Sequence, residues 1–339
     1  MKDINADKKI TIKDIAKKAG VAVCTVSRVL NDNDNVSKKT RKKVENIINE
    51  YNFIPNETAR NMHKKNTGTV ALIIPDLANP FYTELFCGIE EVMKEEGYYI
   101  FVCNTGYEHE NEHKYIKEMI GRGVDGMIFM SLYHCGEEIF SIVREKIQAV
   151  SIQTEVENIN TIMTDDFEIL RQSMKHLIEL GHKKIAFMCY SIAANRDRYR
   201  GYIKMLEESG IEVQNEYIVE DKFEKIDGYS AAKHLLGLGE PPTAIQTLND
   251  SMAFGAYFAA MEKGIKIPDD LSIVGIDDIL SARIFNPPLT TVRQPIREIG
   301  RSAGEILLKN IKSPNSRLAQ KIWLPTQLMI RSSTAPPKK

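Results

Sequence analysis

The sequence predicts an all-α amino-terminal module followed by a larger α/β body of two doubly wound parallel-sheet subdomains, and three observations lead there. Two short amphipathic helical patterns, separated by a single glycine turn, lie between Thr11 and Asn31. From about Thr67 onward, short apolar runs rich in β-branched residues alternate with amphipathic stretches of helical length, the order expected of parallel strands joined by crossover helices. Charge divides at the same place. Residues 1–66 carry 15 Lys and Arg against 8 Asp and Glu, a net of +7, whereas the other 273 residues carry 30 against 38, a net of −8. A basic end on an acidic body is the distribution expected of a nucleic-acid-binding module attached to a second function.

The first helix is predicted to start at Thr11, whose hydroxyl can cap it while Asp14 completes a capping box. Ile12, Ile15, Ala16 and Ala19 share one face, and Gly20 sits where a left-handed turn favours a residue without Cβ. In the second helix Val23, Val26, Val29 and Leu30 are expected to form the buried stripe, leaving Cys24, Thr25, Ser27, Arg28 and Asn31 on the other faces. That polar face suits bases: a guanidinium such as Arg28 can give two parallel hydrogen bonds to O6 and N7 of guanine, while hydroxyls and amides reach phosphates or base edges. A third helix capped by Ser37 carries Lys38, Lys39, Arg41, Lys42 and Lys43 in its first turns and presents Val44, Ile47, Ile48 and Tyr51 as its buried face. Positive charge at a helix start opposes the helix dipole, so a phosphate partner explains it better than a solvated face does. The three helices read as a helix-turn-helix DNA-binding domain.

In the body the clearest strands are Val70 to Pro75, Tyr99 to Cys103, Gly126 to Met130, Ala149 to Ile152, Ile162 to Thr164, Ile185 to Met188, Thr243 to Thr247 and Ser272 to Ile276. Helix punctuation is regular: Asn79-Pro80 is a cap followed by proline at the first helical position, and Gly97, Gly123 and Gly181 fall at helix ends. Roughly 270 residues exceed one compact core, which is why two subdomains are expected. Ligands of such sheets bind outside the carboxyl ends of the strands, here in the cleft between lobes.

Taken together, several ungapped strings resemble the LacI/GalR family of bacterial transcriptional regulators: Thr11 to Ala16, Thr25 to Asn31, Val36 to Arg41, Phe53 to Asn56 with Ala59 and Arg60, then Asp76 to Tyr82, Arg122 to Gly126, Leu180 to Ala186, Asn249-Asp250, Gly275 to Asp277, Pro288 to Pro295 and Arg331 to Thr334. The resemblance spans nearly the whole chain. It implies that the body is periplasmic-binding-protein-like, crossing between lobes three times, near Asp165, Gln294 and Ile322. It also implies a hinge helix after the third helix, which enters the minor groove and wedges an apolar side chain, here Met62, between base pairs. That short segment offers few apolar contacts, so it is expected to order on DNA.

Carried over position by position, the expected DNA contacts are Thr11, Ile12, Val23, Cys24, Thr25, Ser27, Arg28, Asn31, Ser37, Thr40, Asn56, Arg60 and Met62. The expected effector contacts are Asp76, Phe81, Tyr82, Arg196, Arg198, Asn249, Asp250 and Asp277. Carboxylate and guanidinium groups make charge-assisted hydrogen bonds to hydroxyls, and aromatic rings cover the apolar face of a sugar or purine. Each has a local alternative: Phe81 and Tyr82 as core, Asn249 or Asp277 as helix caps, Arg196 as a surface charge. One position departs from the family pattern, because Ala22 stands where a capping serine often precedes the recognition helix.

His109-Glu110-Asn111-Glu112-His113 matches a zinc-hydrolase signature. The polar residues Asn111, Glu112 and Lys114 mark it instead as the exposed start of a helix buried through Tyr115, Ile116, Met119 and Ile120, so zinc hydrolysis is a distant alternative. No enzyme activity, metal or other cofactor is expected. Five widely spaced cysteines fit a reducing compartment. The amino terminus lacks an apolar signal core, no run reaches membrane-spanning length, and the chain is expected in the cytoplasm. The expected division is 1–55 helix-turn-helix, 56–66 hinge helix and linker, 67–335 effector-binding and dimerisation domain, and 336–339 tail. Within 67–335 the first subdomain takes about 67–165 plus 295–321, and the second takes 166–294 plus 322–335. The expected partners are a double-stranded, pseudo-palindromic operator, a small effector such as a sugar or nucleoside, and a second copy of the chain, since the carboxyl end lacks leucine heptads for a tetramer. The alternative is a catabolite-control-like regulator whose main signal is a protein corepressor.

Overall fold

The computed structural model describes residues 10–31, 35–54, 66–130, 137–220, 228–313 and 319–338, which form two compact units divided at Thr67. In the first unit, α1 (Ile12–Ala19), α2 (Val23–Leu30) and α3 (Lys38–Glu50) enclose Ile15, Ala16, Ala19, Val26, Val29 and Val44. The capping box at Thr11 and Asp14 is formed, and Gly20 closes α1 at φ 63°, a left-handed conformation that a side chain would strain.

Two expected core positions are displaced. Val23 is 41% exposed. It is the first residue of α2, and because side chains lean toward the helix amino terminus, its isopropyl group overhangs the helix start instead of entering the core. Tyr51, just past α3, is 40% exposed and turns to Lys18, whose ammonium donates to its hydroxyl at 3.0 Å.

The second unit contains two six-stranded sheets. The first, in spatial order β11-β5-β4-β3-β1-β2, combines β1 (Thr69–Ile74), β2 (Tyr99–Asn104), β3 (Gly126–Phe129), β4 (Gln148–Ile152), β5 (Asn160–Met163) and β11 (Lys321–Trp323), all parallel. The second, β12-β10-β9-β8-β6-β7, combines β6 (Ile185–Cys189), β7 (Ile218–Glu220), β8 (Ala244–Thr247), β9 (Ser272–Asp277), β10 (Thr290–Arg293) and β12 (Gln327–Met329). Its edge pair β10–β12 is antiparallel, so the all-parallel expectation fails there. Four strands, β7, β10, β11 and β12, had no clear sequence signal; they are only three or four residues long.

The described helices of the second unit are α4 (Pro80–Glu95), α5 (His109–Gly121), α6 (Glu137–Lys146), α7 (Asp166–Glu179), α8 (Arg196–Glu208), α9 (Tyr229–Leu235), α10 (Asp250–Glu262), α11 (Leu280–Ile284) and α12 (Ile296–Lys312). On the first lobe α4 and α12 approach backbone to backbone: a Cβ on Gly88 would lie 2.2 Å from the Arg297 carbonyl, and one on Gly300 2.3 Å from that of Leu85. The chain passes between sheets after β5, after β10, and between β11 and β12. The third passage lies beyond Ile322, which pairs with Ile162 inside the first sheet, so the boundary expected at residue 322 moves a few residues onward.

Candidate functional site

The face expected to read bases lies on α2. Its amino-terminal cap is Ala22, which makes no side-chain capping bond, so the first turn is closed only by backbone bonds from Thr25 N and Val26 N to the Ala22 carbonyl. Cys24 and Arg28 are exposed one turn apart, and Thr25 and Ser27 are half-buried beside them. Arg28 makes no hydrogen bond or ion pair among the described residues, which leaves its fork for an external acceptor. Asn31 donates from its amide to the Ser27 carbonyl at 2.9 Å, so its side chain also closes the helix and keeps its oxygen for a partner. Thr11 is exposed and Ile12 half-buried at the start of α1, while Ser37 caps α3 by accepting from Thr40 N at 3.2 Å, with the two hydroxyls 2.9 Å apart. Asn56, Arg60 and Met62, and with them the hinge helix, lie outside the described residues.

In the second unit a cavity of about 410 Å³ opens at the carboxyl ends of the strands, between the two sheets. Phe81 and Tyr82, in the first turn of α4 after the Asn79 cap, reach it from the first lobe. They are only 5% and 4% exposed and sit edge to face at 5.2 Å, so they serve the core and the cleft wall together. From the second lobe come Arg196 and Arg198 on the first turn of α8, Asn249 before α10, and Asp277 closing β9. Asn249 both lines the cleft and caps α10 by accepting from Met252 N at 2.9 Å. Arg198 is committed, donating to Asp166 at 2.8 Å and to the Leu248 carbonyl at 2.8 Å. Arg196 lies at the solvent side, with no ion pair among the described residues.

Asp277 is the chemical centre of this wall. It is buried, and burial pushes its carboxyl up to about 7 against the opposing pull of Arg198 and of Gln294, which donates to it at 2.8 Å. Tyr190 is pushed up to about 12 by burial and stays a neutral hydroxyl.

Two expected ligand contacts do not line the cavity. Asp76 accepts from Ala78 N at 2.9 Å and shapes the loop before α4. Asp250 is wholly buried, accepting from the Thr291 hydroxyl at 2.6 Å and from Ile279 N at 3.0 Å. As the first residue of α10 it points inward under the β9–α11 turn, where burial and the neighbouring Asp277 charge raise its carboxyl well above the usual range. Conversely, Gln153, Asp166, Tyr190, Asn195 and Gln294 line the cleft and were not expected as contacts. Gln153, Tyr190 and Gln294 each directly follow a strand, so the rule that ligands sit at strand ends could have found them.

At the zinc-like motif, the His109 and His113 rings on α5 lie 4.2 Å apart, tilted at 51° to each other. Glu112, expected exposed, is buried. Among the described residues no three His, Cys, Asp or Glu side chains are grouped to hold a metal, and no helix is long and apolar enough to cross a membrane.

Residues 11–56 match the model for bacterial regulatory proteins of the lacI family, and residues 67–331 match the model for periplasmic binding proteins and the sugar binding domain of the LacI family. The chain is 37% identical to the HTH-type transcriptional regulator DegA of Bacillus subtilis, over 97% of this chain and 99% of that one. Among solved structures it resembles the Lac repressor dimer bound to operator and the anti-inducer ONPF, with TM-score 0.82 and 28% identity over 97% of this chain and 100% of that one. It also resembles a LacI family transcriptional regulator from Enterococcus faecium with bound ribose, with TM-score 0.72 and 29% identity over 80% and 100% of the respective chains.

Proposed function

Since the chain belongs to the LacI family of bacterial regulatory proteins, we propose that it is a cytoplasmic repressor that binds a pseudo-palindromic operator as a homodimer and is controlled by a small polyhydroxyl ligand, most simply a sugar. Each amino-terminal unit reads one half-site, with Arg28 giving the guanine contact and Thr25, Ser27, Asn31, Ser37 and Thr40 setting the helix against phosphates and bases. In the cleft, Asp277 and Asn249 take ligand hydroxyls, Arg196 closes the open side, and Phe81, Tyr82 and Tyr190 cover the ring. The Lac repressor solved on operator and the Enterococcus faecium regulator solved with ribose support these two partner classes. No catalytic residue is assigned.

A second copy has a surface to use. Phe258 and Met261 on α10 and Leu280 and Ile284 on α11 are all more than half exposed, and the Phe285 ring joins the two helices by contacting Phe254, Tyr257 and Phe258. Exposed apolar residues gathered in this way mark association surfaces.

The observation that carries the ligand assignment is the buried Asp277 carboxyl at the head of a polar, aromatic-lined cavity. A thermal-shift panel of D-ribose, D-glucose, cellobiose and adenosine tests it on wild type and Asp277→Ala. One compound is expected to raise the melting temperature of the wild type alone, because a ligand of the folded state stabilises by about 2.7 kcal/mol at a hundredfold excess over Kd. A panel without effect, or an equal shift in the variant, contradicts the assignment.

A further inference from the structure

A line of hydrogen bonds crosses from one lobe to the other through two of the three interlobe passages. Gln153, following β4, donates from Nε2 to the Thr164 hydroxyl at 2.8 Å. Thr164 donates to Oε1 of Gln294 at 2.7 Å. Gln294 donates from Nε2 to Oδ1 of Asp277 at 2.8 Å. Every donor therefore points toward the Asp277 carboxylate, and each bond in such a line polarises the next. Backbone contacts pin both halves, since Thr164 N donates to Oε1 of Gln153 at 2.7 Å and Gln294 N to the Asp277 carbonyl at 3.3 Å.

Of the four residues in this line, Gln153, Gln294 and Asp277 border the cavity and Thr164 stands behind it. Gln153 and Asp277 line it from opposite lobes. Thr164 and Gln294 are buried where the chain leaves β5 and β10 to change sheets. Both ends are non-glycine residues held at positive φ, 60° for Gln153 and 121° for Asp277, a conformation that persists only where surrounding bonds fix it. No hydrogen bond among the described residues occupies the second oxygen of Asp277, so a ligand can engage that carboxylate without first displacing Gln294. Thr164 has a single hydroxyl proton, so a shift at either end must be answered at the passage.

We propose that Thr164 and Gln294 are positioning residues that convert occupancy of the cleft into a change in the setting of the two lobes, and thereby into a change in operator affinity. This rests on the cleft being the ligand site and the amino-terminal unit the operator reader. Ligand grip and ligand response are then separable, because Thr164 carries the response and touches no ligand.

The test uses the full chain, an operator duplex selected from random sequence, and whichever panel compound stabilises the wild type. Ligand affinity and operator affinity with and without ligand are measured for wild type, Thr164→Val and Thr164→Ser. Allosteric ratios of about 5–150-fold are typical. Thr164→Val is expected to bind ligand within about threefold of wild type while its operator response shrinks toward unity, and Thr164→Ser, which keeps the hydroxyl, restores the response to within about twofold. Should Thr164→Val fail to fold, Thr164→Ala, which also removes the hydroxyl, carries the same comparison. An undiminished response in Thr164→Val alongside intact ligand binding overturns the proposal alone. A panel in which no compound stabilises the wild type overturns the ligand assignment, and the proposal with it.

Discussion

The base-reading unit turns its chemistry outward on a core of small side chains, Ile15, Ala16, Ala19, Val26, Val29 and Val44, whereas the ligand unit holds its chemistry inward, on residues delivered by successive strand ends of two sheets. Arg28 is exposed and makes no bond among the described residues, while Asp277 is buried and bonded to Gln294. Recognition of a polyanion needs side chains that are free and wet, since its affinity comes from charge and from base edges brought to the protein. Recognition of a small neutral ligand needs side chains already desolvated and fixed, so that little ordering remains at binding. The same difference decides what mutations do: outward residues should change binding with little effect on folding, and inward ones should change both.

The largest expected effect is at Asp277. A carboxyl raised from 3.8 to about 7 by folding binds its proton more tightly in the native state. Its contribution to stability is complete below about pH 4 and is lost as pH rises through 7, up to about 4 kcal/mol at 1.36 kcal/mol per unit. Melting of the ligand-free protein should show that decline, and Asp277→Asn should make it shallower, leaving the part that comes from the buried Asp250 carboxyl, which is raised for the same reason. Ligand hydroxyls donate to the ionised form, so wild-type ligand affinity should tighten as pH rises through 7. Equal pH slopes for wild type and variant break the contrast between the two units.

Next come the two valines of α2. Val26 is fully buried, and Val26→Ala should cost the amino-terminal unit about 2–3 kcal/mol. Val23→Ala, at an exposed position, should change stability by under about 0.5 kcal/mol while weakening operator binding. Chemical denaturation followed by helix circular dichroism separates the two, and similar losses would return Val23 to the core.

Arg28→Ala should lower operator affinity by about 1–3 kcal/mol and relax preference at one base pair, leaving ligand affinity unchanged. Fluorescence anisotropy against single-substitution operators measures both. The smallest effect is a gain: Ala22→Ser supplies the missing cap of α2 and should stabilise the first unit by about 1 kcal/mol. No gain in its melting would mean that the helix start is already satisfied by its surroundings.

The two units were also unequally legible in the sequence. Thr11, Asp14, Gly20 and Ser37 act through bonds spanning three or four residues, so their spacing alone announces them. The strands β1 to β6, β8 and β9 showed for a similar local reason, as short apolar runs, although β2 is largely exposed. Gln294 was legible only as a passage between lobes, because its partners Thr164 and Asp277 lie 130 and 17 residues away and no local pattern joins them. Asp250 misled because position one of a helix at a strand end is where ligand contacts gather, while the direction of its side chain depends on Thr291, 41 residues on. Val23 misled because helical periodicity gives a direction around the helix axis and nothing about where the core stops along it.

The central claim, that one unit reads DNA under control of a ligand held by the other, is tested most directly by titrating the full-length protein onto its selected operator with and without a saturating concentration of the stabilising panel compound. The expected result is a change in operator Kd of about 5–150-fold, lost in Asp277→Ala although that variant still binds operator. An operator Kd unaffected by a compound that demonstrably occupies the cleft would contradict it.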